Sequence, residues 1–260
     1  MEERSVNQTG PLVSIVTPIY RCGNVLADTV ASVQAQTMPD WELLLVDDCS
    51  GDGTYAVAEA LAREDSRIVL LQTERNLGPA GSRNMALDRA RGKYLAFLDG
   101  DDLWKPEKLE KQIAFMRQTG AHFSCTAYDR VAGDGKTVLG RVTPFPKADY
   151  KKVLYYANPV GNSTVLLERD TLGDTRIPEI RKRNDFALWL AVLKKTDYVY
   201  GMQECLGCYR LQEGSVSSKK LDLLKYQWQL YTKVEKLNAL QVAGAFAGLC
   251  YIKAFHPTWH

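Results

Sequence analysis

Apolar runs alternate with helical patterns over the first hundred residues, and this alternation restricts the fold more than any other feature. Strands are predicted over Val13–Thr17, Trp41–Val46, Ile68–Leu71 and Lys93–Leu98, and helices over Val25–Gln36, Thr54–Arg63 and Pro79–Ala90. Strands that are apolar along their whole length are typical of parallel sheets covered on both faces. We therefore predict an α/β fold with a mostly parallel, Rossmann-like sheet flanked by helices.

The second half of the chain changes character. The patterns predict a hairpin from His122–Tyr128 and Thr137–Val142, a strand at Asn162–Leu167, a helix at Asn184–Lys194, a strand pair within Tyr198–Leu211, and helices at Leu221–Leu237 and Leu240–Phe255. We expect one domain over residues 1–218, with halves at 11–105 and 106–218, followed by a C-terminal helical extension at 219–260.

Composition narrows the class of protein. A chain of 260 residues with a net charge of +2 is long enough for a full core, and its charge argues against a dedicated nucleic-acid binder. Its six cysteines are irregularly spaced, which favours a reducing compartment over a disulfide framework. The first residues lack the basic and apolar regions of a signal peptide, and no run of about 18 apolar residues could span a membrane. These features predict a cytoplasmic protein.

The acidic tetrapeptide at 99–102 directly follows the strand predicted to end at Leu98. Side chains alternate along an extended chain, so Asp99 and Asp101 fall on one side, where both could reach one divalent ion, or an ion and a ribose. Magnesium and manganese bind through one or two carboxylates and substrate phosphates, so the spacing suggests a nucleotide diphosphate. The alternative is a solvated Asp-Gly turn before a helix that starts near Pro106, capped by Asp102.

Polar residues follow several of the predicted strands. They are Thr17 and Tyr20 after the first strand, Asp47 and Asp48 after the second, and Asp99 and Asp101 after the fourth. In open α/β sheets ligands bind at the carboxyl ends of the strands. The convergence of independent segments on this edge predicts a nucleotide site there.

Several of these segments resemble those of family 2 glycosyltransferases with a GT-A fold. The matching segments are Val13–Tyr20, Trp41–Asp48 with Ser50–Thr54, Asn76–Asn84 and Phe97–Trp104. The chain's length and the segments Asp185–Leu190 and Tyr209–Ser217 are similar to those of bacterial transferases that build surface polysaccharides, including teichuronic-acid-type enzymes. The resemblance covers most of the chain.

The resemblance implies roles for the first group of residues. Thr17 and Tyr20 would line the nucleotide pocket, and Asp48 would accept a hydrogen bond from the imide of uracil, which cytosine lacks. The alternative for Asp47 and Asp48 is a capped turn before the helix at Thr54. Arg83 would meet a phosphate or Asp99, with a surface salt bridge as the alternative.

The resemblance also implies roles for the acidic tetrapeptide at 99–102, which we call the acidic tip, and for a metal ion. Asp99 would contact the ribose or the sugar, Gly100 would lie beside it in the donor site, and Asp101 would ligate Mn²⁺ or Mg²⁺ with Asp99 as its partner. Asp102 would then be structural.

For the chemistry, the resemblance points to Asp185 as the base that removes a proton from the acceptor hydroxyl. The family has a Glu-Asp pair in this context, whereas this chain has Asn184-Asp185. Loss of one negative charge lowers the pKa expected for the neighbour and predicts a weaker base. The alternative is that Asp185 only complements the N-terminus of a helix. Trp189 on the same helix is predicted to bind the acceptor.

The segment from Tyr209 to Lys220 resembles a mobile loop that folds over the diphosphate. Arg210 or Lys220 would supply positive charge there. Relatives often carry a histidine where this chain has Gln212, and this departure predicts weaker help to the metal or phosphate.

The helix predicted from Leu221 onward has lysines beside leucines and aromatic residues, among them Tyr226, Trp228 and Tyr231. A basic amphipathic helix with aromatics can lie on an anionic membrane, which suits a lipid-linked acceptor. The alternative is that these aromatics pack on the domain or form a homodimer.

We therefore expect a metal-dependent, inverting transferase that moves a sugar from a UDP-sugar to a saccharide or lipid-linked acceptor, without nucleic acid. We expect it in the cytoplasm or at the inner face of the cell membrane. The rival functions are a nucleotidyltransferase, for which a Gly-rich phosphate loop after the first strand is missing, and an inactive sugar-nucleotide-binding subunit.

Overall fold

The structure, a computed structural model, describes residues 10–156, 160–211 and 220–255, with the side chains of 220–222 and 253 left out of the description. Its strands are β1 (Val13–Ile19), β2 (Trp41–Asp47), β3 (Ile68–Gln72), β4 (Tyr94–Phe97), β5 (Leu103–Trp104), β6 (Phe123–Val131), β7 (Val138–Val142), β8 (Lys147–Ala148), β9 (Leu166–Glu168) and β10 (Val199–Arg210). Its α-helices are α1 (Gly23–Gln34), α2 (Thr54–Glu64), α3 (Gly78–Arg89), α4 (Lys108–Thr119), α5 (Tyr150–Tyr155), α6 (Arg169–Leu172), α7 (Asn184–Leu193), α8 (Lys220–Gln229) and α9 (Ala239–Phe255). A 3₁₀ turn covers Asn162–Thr164, and a π-helical turn covers Leu230–Val234.

All ten strands belong to one mixed sheet, whose central order is β3-β2-β1-β4-β9-β6-β10-β5. The first four strands in this order are parallel to one another. Val13 of β1 lies opposite both Trp41 of β2 and Tyr94 of β4. Strand β9 then pairs antiparallel with both β4 and β6, and β10 runs parallel to β6. Since β1, β2 and β4 are parallel, their carboxyl ends meet at one edge, as the sequence predicted.

The sheet is buried on both faces. Leu43 and Leu45 of β2 belong to one apolar cluster, with α1, while Leu44 and Val46 belong to another, with α7. Neighbouring strand residues point to opposite faces, so a strand that is apolar throughout needs cover on both sides. All seven residues of β2 are buried.

Three predicted elements differ from the structure. The strand pair expected within Tyr198–Leu211 is one strand, β10, whose register against β6 shifts on both sides of Cys205. Next to those shifts lie two exposed polar residues, Gln203 and Glu204. In the sequence they resemble a turn between two strands. The strand predicted from Asn162 begins only at Leu166, after the 3₁₀ turn, and the helix predicted to reach Leu237 changes to a π turn at Leu230.

The C-terminal helices pack on the rest of the chain. Leu230 and Tyr231 are fully buried in the same cluster as Val242 and Ala245 of α9, and Phe246 lies against the Tyr231 ring at a centroid distance of 5.6 Å. For these residues the packing alternative was correct. None of the helices in the described part of the chain is both long and apolar enough to cross a membrane.

Candidate functional site

A cleft of about 1210 Å³ lies at the carboxyl ends of β1, β2 and β4. One side is formed by these strand ends and the start of α3. The other is formed by the 3₁₀ turn, residues 179–183, the start of α7 and the C-terminal part of β10. Of the predicted site residues, those that line the cleft are Tyr20, Asp48, Arg83, Asp99, Gly100, Asp101 and Asp185.

Asp47, the last residue of β2, and Asp48, which follows it, have different roles. Asp47 is fully buried and its carboxylate accepts hydrogen bonds from Ser50 and, at 3.1 Å, from the Gln72 amide, so it holds the following loop. Asp48 reaches the cleft.

The Asp48 carboxylate fixes the entrance to α3. It accepts hydrogen bonds from the backbone N–H groups of Leu77 (2.7 Å) and Gly78 (2.8 Å) and from the hydroxyl of Thr73 (3.1 Å). Gly78 has φ of +72°, which favours glycine, so the bend that presents both amides to Asp48 depends on it. A carboxylate has about four lone-pair sites, and one remains for a donor in the cleft.

The acidic tip after β4 is held from three directions. Asp99 Oδ1 accepts hydrogen bonds from Arg83 Nη2 of α3 (2.5 Å) and from Asn162 Nδ2 of the 3₁₀ turn (2.8 Å). The Asp99 N–H donates to Ser163 Oγ at 3.1 Å. The tip sits close against the end of β1, because a Cβ on Gly100 would lie 2.9 Å from the Ile19 side chain.

Asp102 is structural, but it does not cap a helix. It is 1% exposed and accepts hydrogen bonds from Ser163 Oγ (2.5 Å) and from the backbone N–H of Arg210 (3.1 Å). Helix α4 starts later, at Lys108. Asp102 therefore ties the tip to the 3₁₀ turn and to β10.

Asp101 has no such partners. Within the described part of the chain its carboxylate accepts no hydrogen bond from another residue and forms no ion pair. Burial, and then the charge of Asp99, raise the pKa of Asp101 to about 6, against a smaller lowering by Arg210. An unpartnered, half-enclosed carboxylate beside a second one is a site where a cation would be stabilised.

The described residues fit a magnesium or manganese ion only in part. The described chain has no group of three or more histidine, cysteine, aspartate or glutamate side chains placed to hold a metal. Asp101 and the second oxygen of Asp99 are hard ligands of the right type, and further ligands would have to come from substrate phosphates and water.

Arg83 connects the tip to the opposite side of the cleft. Its Nη2 binds Asp99, and its Nη1 donates to Asn184 Oδ1 at 2.8 Å. Its side chain is 7% exposed. Arg83 thus links α3, the acidic tip and the first residue of α7, which makes it more than a surface salt bridge.

Asp185 lines the cleft from the first turn of α7. It is half-buried, and its carboxylate makes no hydrogen bond or ion pair with any part of the chain that the structure describes. Arg183, the N-cap residue of α7, has a left-handed backbone with φ of +66°. Asp185 is therefore free to accept a proton from a group in the cleft.

Three predicted site residues lie elsewhere. Trp189 is completely buried and reaches neither the cleft nor solvent. Its ring packs between those of Phe97 and Phe123, at centroid distances of 5.0 Å and 5.5 Å. The expectation that it binds the acceptor is wrong: it lies on the core face of α7, one turn beyond Asp185. Sequence alone does not distinguish the two faces of so apolar a helix.

Thr17 and Arg210 are the other two corrections. Thr17 is fully buried inside the sheet and does not line the cleft. Arg210 is 3% exposed, and its guanidinium donates to Asp28 (3.1 Å) and to the carbonyl of Gly133 (3.3 Å), outside the cleft lining. Gln212 and the Lys220 side chain lie outside the described residues.

The site also contains residues that the sequence did not indicate. These are the 3₁₀-turn residues Asn162 and Ser163, the cations Arg181, Lys182 and Arg183, and the aromatic residues Tyr128 and Tyr209. The two tyrosine rings meet edge to face at 6.3 Å. Three successive cations directly before Asn184 were a signal available in the sequence, whereas the polar 3₁₀ turn was hidden in an apparent strand.

The sequence is similar to those of known glycosyltransferases. The family model for "Glycosyl transferase family 2" matches residues 14–165. The putative teichuronic acid biosynthesis glycosyltransferase TuaG of Bacillus subtilis is 42% identical over 236 residues, which cover 91% of this chain and 93% of that protein. The Escherichia coli protein WfgD, a UDP-Glc:α-D-GlcNAc-diphosphoundecaprenol β-1,3-glucosyltransferase, is 36% identical over 225 residues, covering 84% and 85%.

Solved structures show the same fold at lower identity. S. aureus TarS in complex with UDP-GlcNAc has a TM-score of 0.71 at 20% identity, covering 95% of this chain and 74% of that one. The mannosyltransferase PcManGT of Pyrobaculum calidifontis, in complex with GDP-Man and Mn²⁺, has a TM-score of 0.68 at 15% identity, covering 96% and 77%. The predicted GT-A architecture is confirmed.

Proposed function

This chain belongs to glycosyl transferase family 2 and is a glycosyltransferase of polysaccharide synthesis, and from that premise we propose its reaction. It transfers a sugar from a UDP-sugar to a lipid-linked saccharide, with inversion at the anomeric carbon and with Mn²⁺ or Mg²⁺ at the acidic tip. It acts at the cytoplasmic face of the cell membrane.

The donor nucleotide lies along the strand ends. Tyr20, 45% exposed at the cleft, offers a ring surface, and the remaining lone pair of Asp48 can accept the imide N–H of uracil. The related WfgD is a UDP-Glc-dependent glucosyltransferase and TarS forms a complex with UDP-GlcNAc, which supports uridine as the base.

Asp101 and the second oxygen of Asp99 are the residues that would hold the metal. A divalent ion bound there would neutralise the negative charge of the departing diphosphate. Arg83 and Asn162 fix the other Asp99 oxygen, so the carboxylate stays in one orientation. The complex of PcManGT with GDP-Man and Mn²⁺ supports a divalent metal in a protein of this fold.

The diphosphate needs further positive charge besides the metal. Arg210 is engaged outside the cleft, whereas Arg181, Lys182 and Arg183 line it. Arg183 Nε is buried and has no hydrogen-bond partner among the described residues. We assign these three cations to the phosphates of donor or acceptor.

Asp185 performs the proton transfer. Its carboxylate takes the proton of the acceptor hydroxyl as that oxygen bonds to the anomeric carbon, and the bond from this carbon to the diphosphate oxygen breaks on the opposite face. One displacement inverts the anomeric centre and needs no covalent intermediate. Tyr128 and Tyr209, instead of Trp189, offer ring surfaces for the acceptor saccharide.

One observation carries this proposal: the carboxylates of Asp101 and Asp185 have no hydrogen-bond or ion-pair partner among the described residues and line one cleft from opposite sides, and Arg83 connects Asp99 with Asn184. A protein that only binds sugar nucleotides would need the first carboxylate alone. A transferase needs both.

A panel of nucleotide sugars tests the proposal, with thermal stability measured in manganese and in EDTA. We expect stabilisation by UDP and one UDP-sugar in manganese, a much smaller shift in EDTA, and UDP release when a lipid-linked saccharide is added. Equal stabilisation in both buffers would contradict the metal role. Binding without UDP release in the presence of any acceptor would favour the inactive subunit. Formation of UTP and a sugar phosphate from the UDP-sugar when pyrophosphate is added would favour the nucleotidyltransferase.

A further inference from the structure

Helix α9 has an apolar side that the other described residues leave exposed. Its buried side is formed by Val242, Ala245 and Ile252. On the opposite side the exposed or half-exposed residues repeat at helical spacing; they are Leu240, Ala243, Gly244, Ala247, Cys250, Tyr251, Ala254 and Phe255. We call this set the α9 face. Leu240 is 85% exposed and Phe255 68% exposed, which is unusual for large apolar side chains.

Basic and aromatic side chains border the α9 face. A depression beside it is lined by Tyr251 together with the residues that we call the basic rim: Lys147, Lys151, Lys152, Tyr156 and Tyr198. Asp149 is the acidic residue lining the same depression, and its carboxylate accepts the N–H of Lys152 at 2.7 Å as the cap of α5. The rim is therefore positively charged overall.

The rim has the amphipathic character of residues at a lipid–water boundary. Lys147 Nζ lies 3.7 Å from the centroid of the Tyr198 ring, so the ammonium and the ring form one unit at the surface. Tyr156 and Tyr198 are 44% and 39% exposed. Tyrosine and lysine place apolar atoms in the interface and polar tips in the headgroups.

We propose that the α9 face and the basic rim bind the surface of a membrane containing anionic lipids. Helix α9 has 17 residues and is apolar on both its buried and its exposed side. It would lie in the plane of the interface, with the α9 face in the acyl boundary and the lysines of the rim among the anionic headgroups. This surface lies on α9, whereas the sequence suggested the segment from Leu221 onward, in which Leu230 and Tyr231 of the π turn pack inside the domain.

Charge favours a membrane over a second copy of the chain. A twofold dimer places the same patch against itself, so the basic rims of both copies would enter one interface and repel. An anionic lipid surface instead complements the three lysines.

The position of this surface suits the proposed lipid-linked acceptor, and in this respect the inference rests on the proposed function. Tyr156 belongs to the basic rim and Val160 to the cleft wall. These residues are four apart, so their Cα atoms lie within about 15 Å of each other. A saccharide attached to a lipid in the membrane would meet the cleft at this edge.

Flotation of the full chain with vesicles tests the proposal in the absence of any sugar nucleotide. We expect binding to vesicles of phosphatidylcholine mixed with phosphatidylglycerol, weaker binding to phosphatidylcholine alone, and release by salt. Phe255→Ser with Leu240→Ser should weaken binding at least about tenfold, and Lys151→Glu about fivefold.

Matched controls change similar residues outside this surface. Leu139→Ser removes a 54% exposed leucine of β7, and Lys136→Glu reverses an exposed lysine of the preceding turn. Both should bind vesicles like the wild type. Transfer to a short water-soluble acceptor should be the same in all these variants, so a failure here is separable from a failure of the proposed reaction.

Three outcomes would overturn the proposal. They are no binding to the anionic vesicles, equal binding by the surface variants and the controls, and a dimer in sedimentation that Phe255→Ser dissociates while vesicle binding is unchanged. The last result would assign the α9 face to a second copy.

Discussion

The two sides of the cleft are built by different means. On the strand-end side, Tyr20, Asp48 and Asp99–Asp101 directly follow parallel strands whose register fixes where they emerge. On the turn side, residues 160–164, 179–183 and the start of α7 come from irregular segments held by side-chain hydrogen bonds. The strand-end side is placed by the sheet, whereas the turn side depends on a few specific contacts, of which the Arg83 bridge is the most central.

The largest effect is expected on the turn side, at Asp185. Asp185→Asn keeps the size of the side chain but cannot accept the acceptor proton, so kcat should fall by about 10³-fold or more. Turnover with a saturating UDP-sugar measures this.

Asp170→Asn is the control for that variant, since Asp170 also stands in the first turn of a helix but outside the cleft. It should retain wild-type kcat. Near-normal turnover of Asp185→Asn would leave Asp185 only a role at the helix N-terminus.

Removing the link between the two sides should have the next largest effect. Arg83→Met leaves Asp99 without its cation and Asn184 without its donor, and loss of one partner of a buried pair costs about 3 kcal/mol. Turnover should fall together with the free energy of unfolding in urea. Arg63→Met removes an exposed partner of Glu59 and should cost less than about 0.5 kcal/mol. Equal costs at the two arginines would disprove the bridge.

A third prediction concerns the helix that carries the base. Trp189→Phe leaves a cavity among Phe97 and Phe123 and should cost about 1–2 kcal/mol of stability. The KM for the acceptor should stay at the wild-type value. A raised KM with unchanged stability would restore Trp189 to the acceptor site.

The smallest effect on turnover is expected at Lys108, which starts α4 and does not line the cleft. This lysine is fully buried, its Nζ has no hydrogen-bond partner in the described chain, and it lies 4.1 Å from the Trp104 ring centroid. Burial lowers the pKa of Lys108 to about 7. Above that pH the unfolded chain holds the proton that the folded chain has lost, so stability rises with pH, by up to about 1.4 kcal/mol per pH unit.

Lys108→Met removes this contribution. The variant should be more stable than the wild type near pH 7, and its advantage should shrink as the pH rises from about 7 to about 8.5, where the unfolded wild type still holds the Lys108 proton that the fold has lost. Urea unfolding at several pH values measures the difference. A difference independent of pH would show that Lys108 is charged in the fold.

The same contrast explains what the sequence could predict. Continuous apolar runs such as Trp41–Val46 require a sheet covered on both faces, and their ends place Asp48 and Asp99 at one edge without further information. The roles of Asn162 and Ser163 depend on tertiary hydrogen bonds to the acidic tip, which no local pattern encodes.

Two errors have the same origin. Trp189 belongs to a helix whose apolar residues occupy nearly every position, so helical periodicity could not identify the core side. Arg210 ends a strand as predicted, but its direction is set by Asp28 and the Gly133 carbonyl, which are distant in the sequence.

The central claim is that the acidic tip holds the leaving group while Asp185 performs the chemistry. Calorimetric titration of UDP in manganese, with the wild type, Asp101→Asn and Asp185→Asn side by side, tests it most directly. We predict that Asp101→Asn loses most of the manganese-dependent affinity and that Asp185→Asn binds UDP like the wild type. Wild-type affinity in Asp101→Asn, or an equal loss in both variants, would contradict this division of labour.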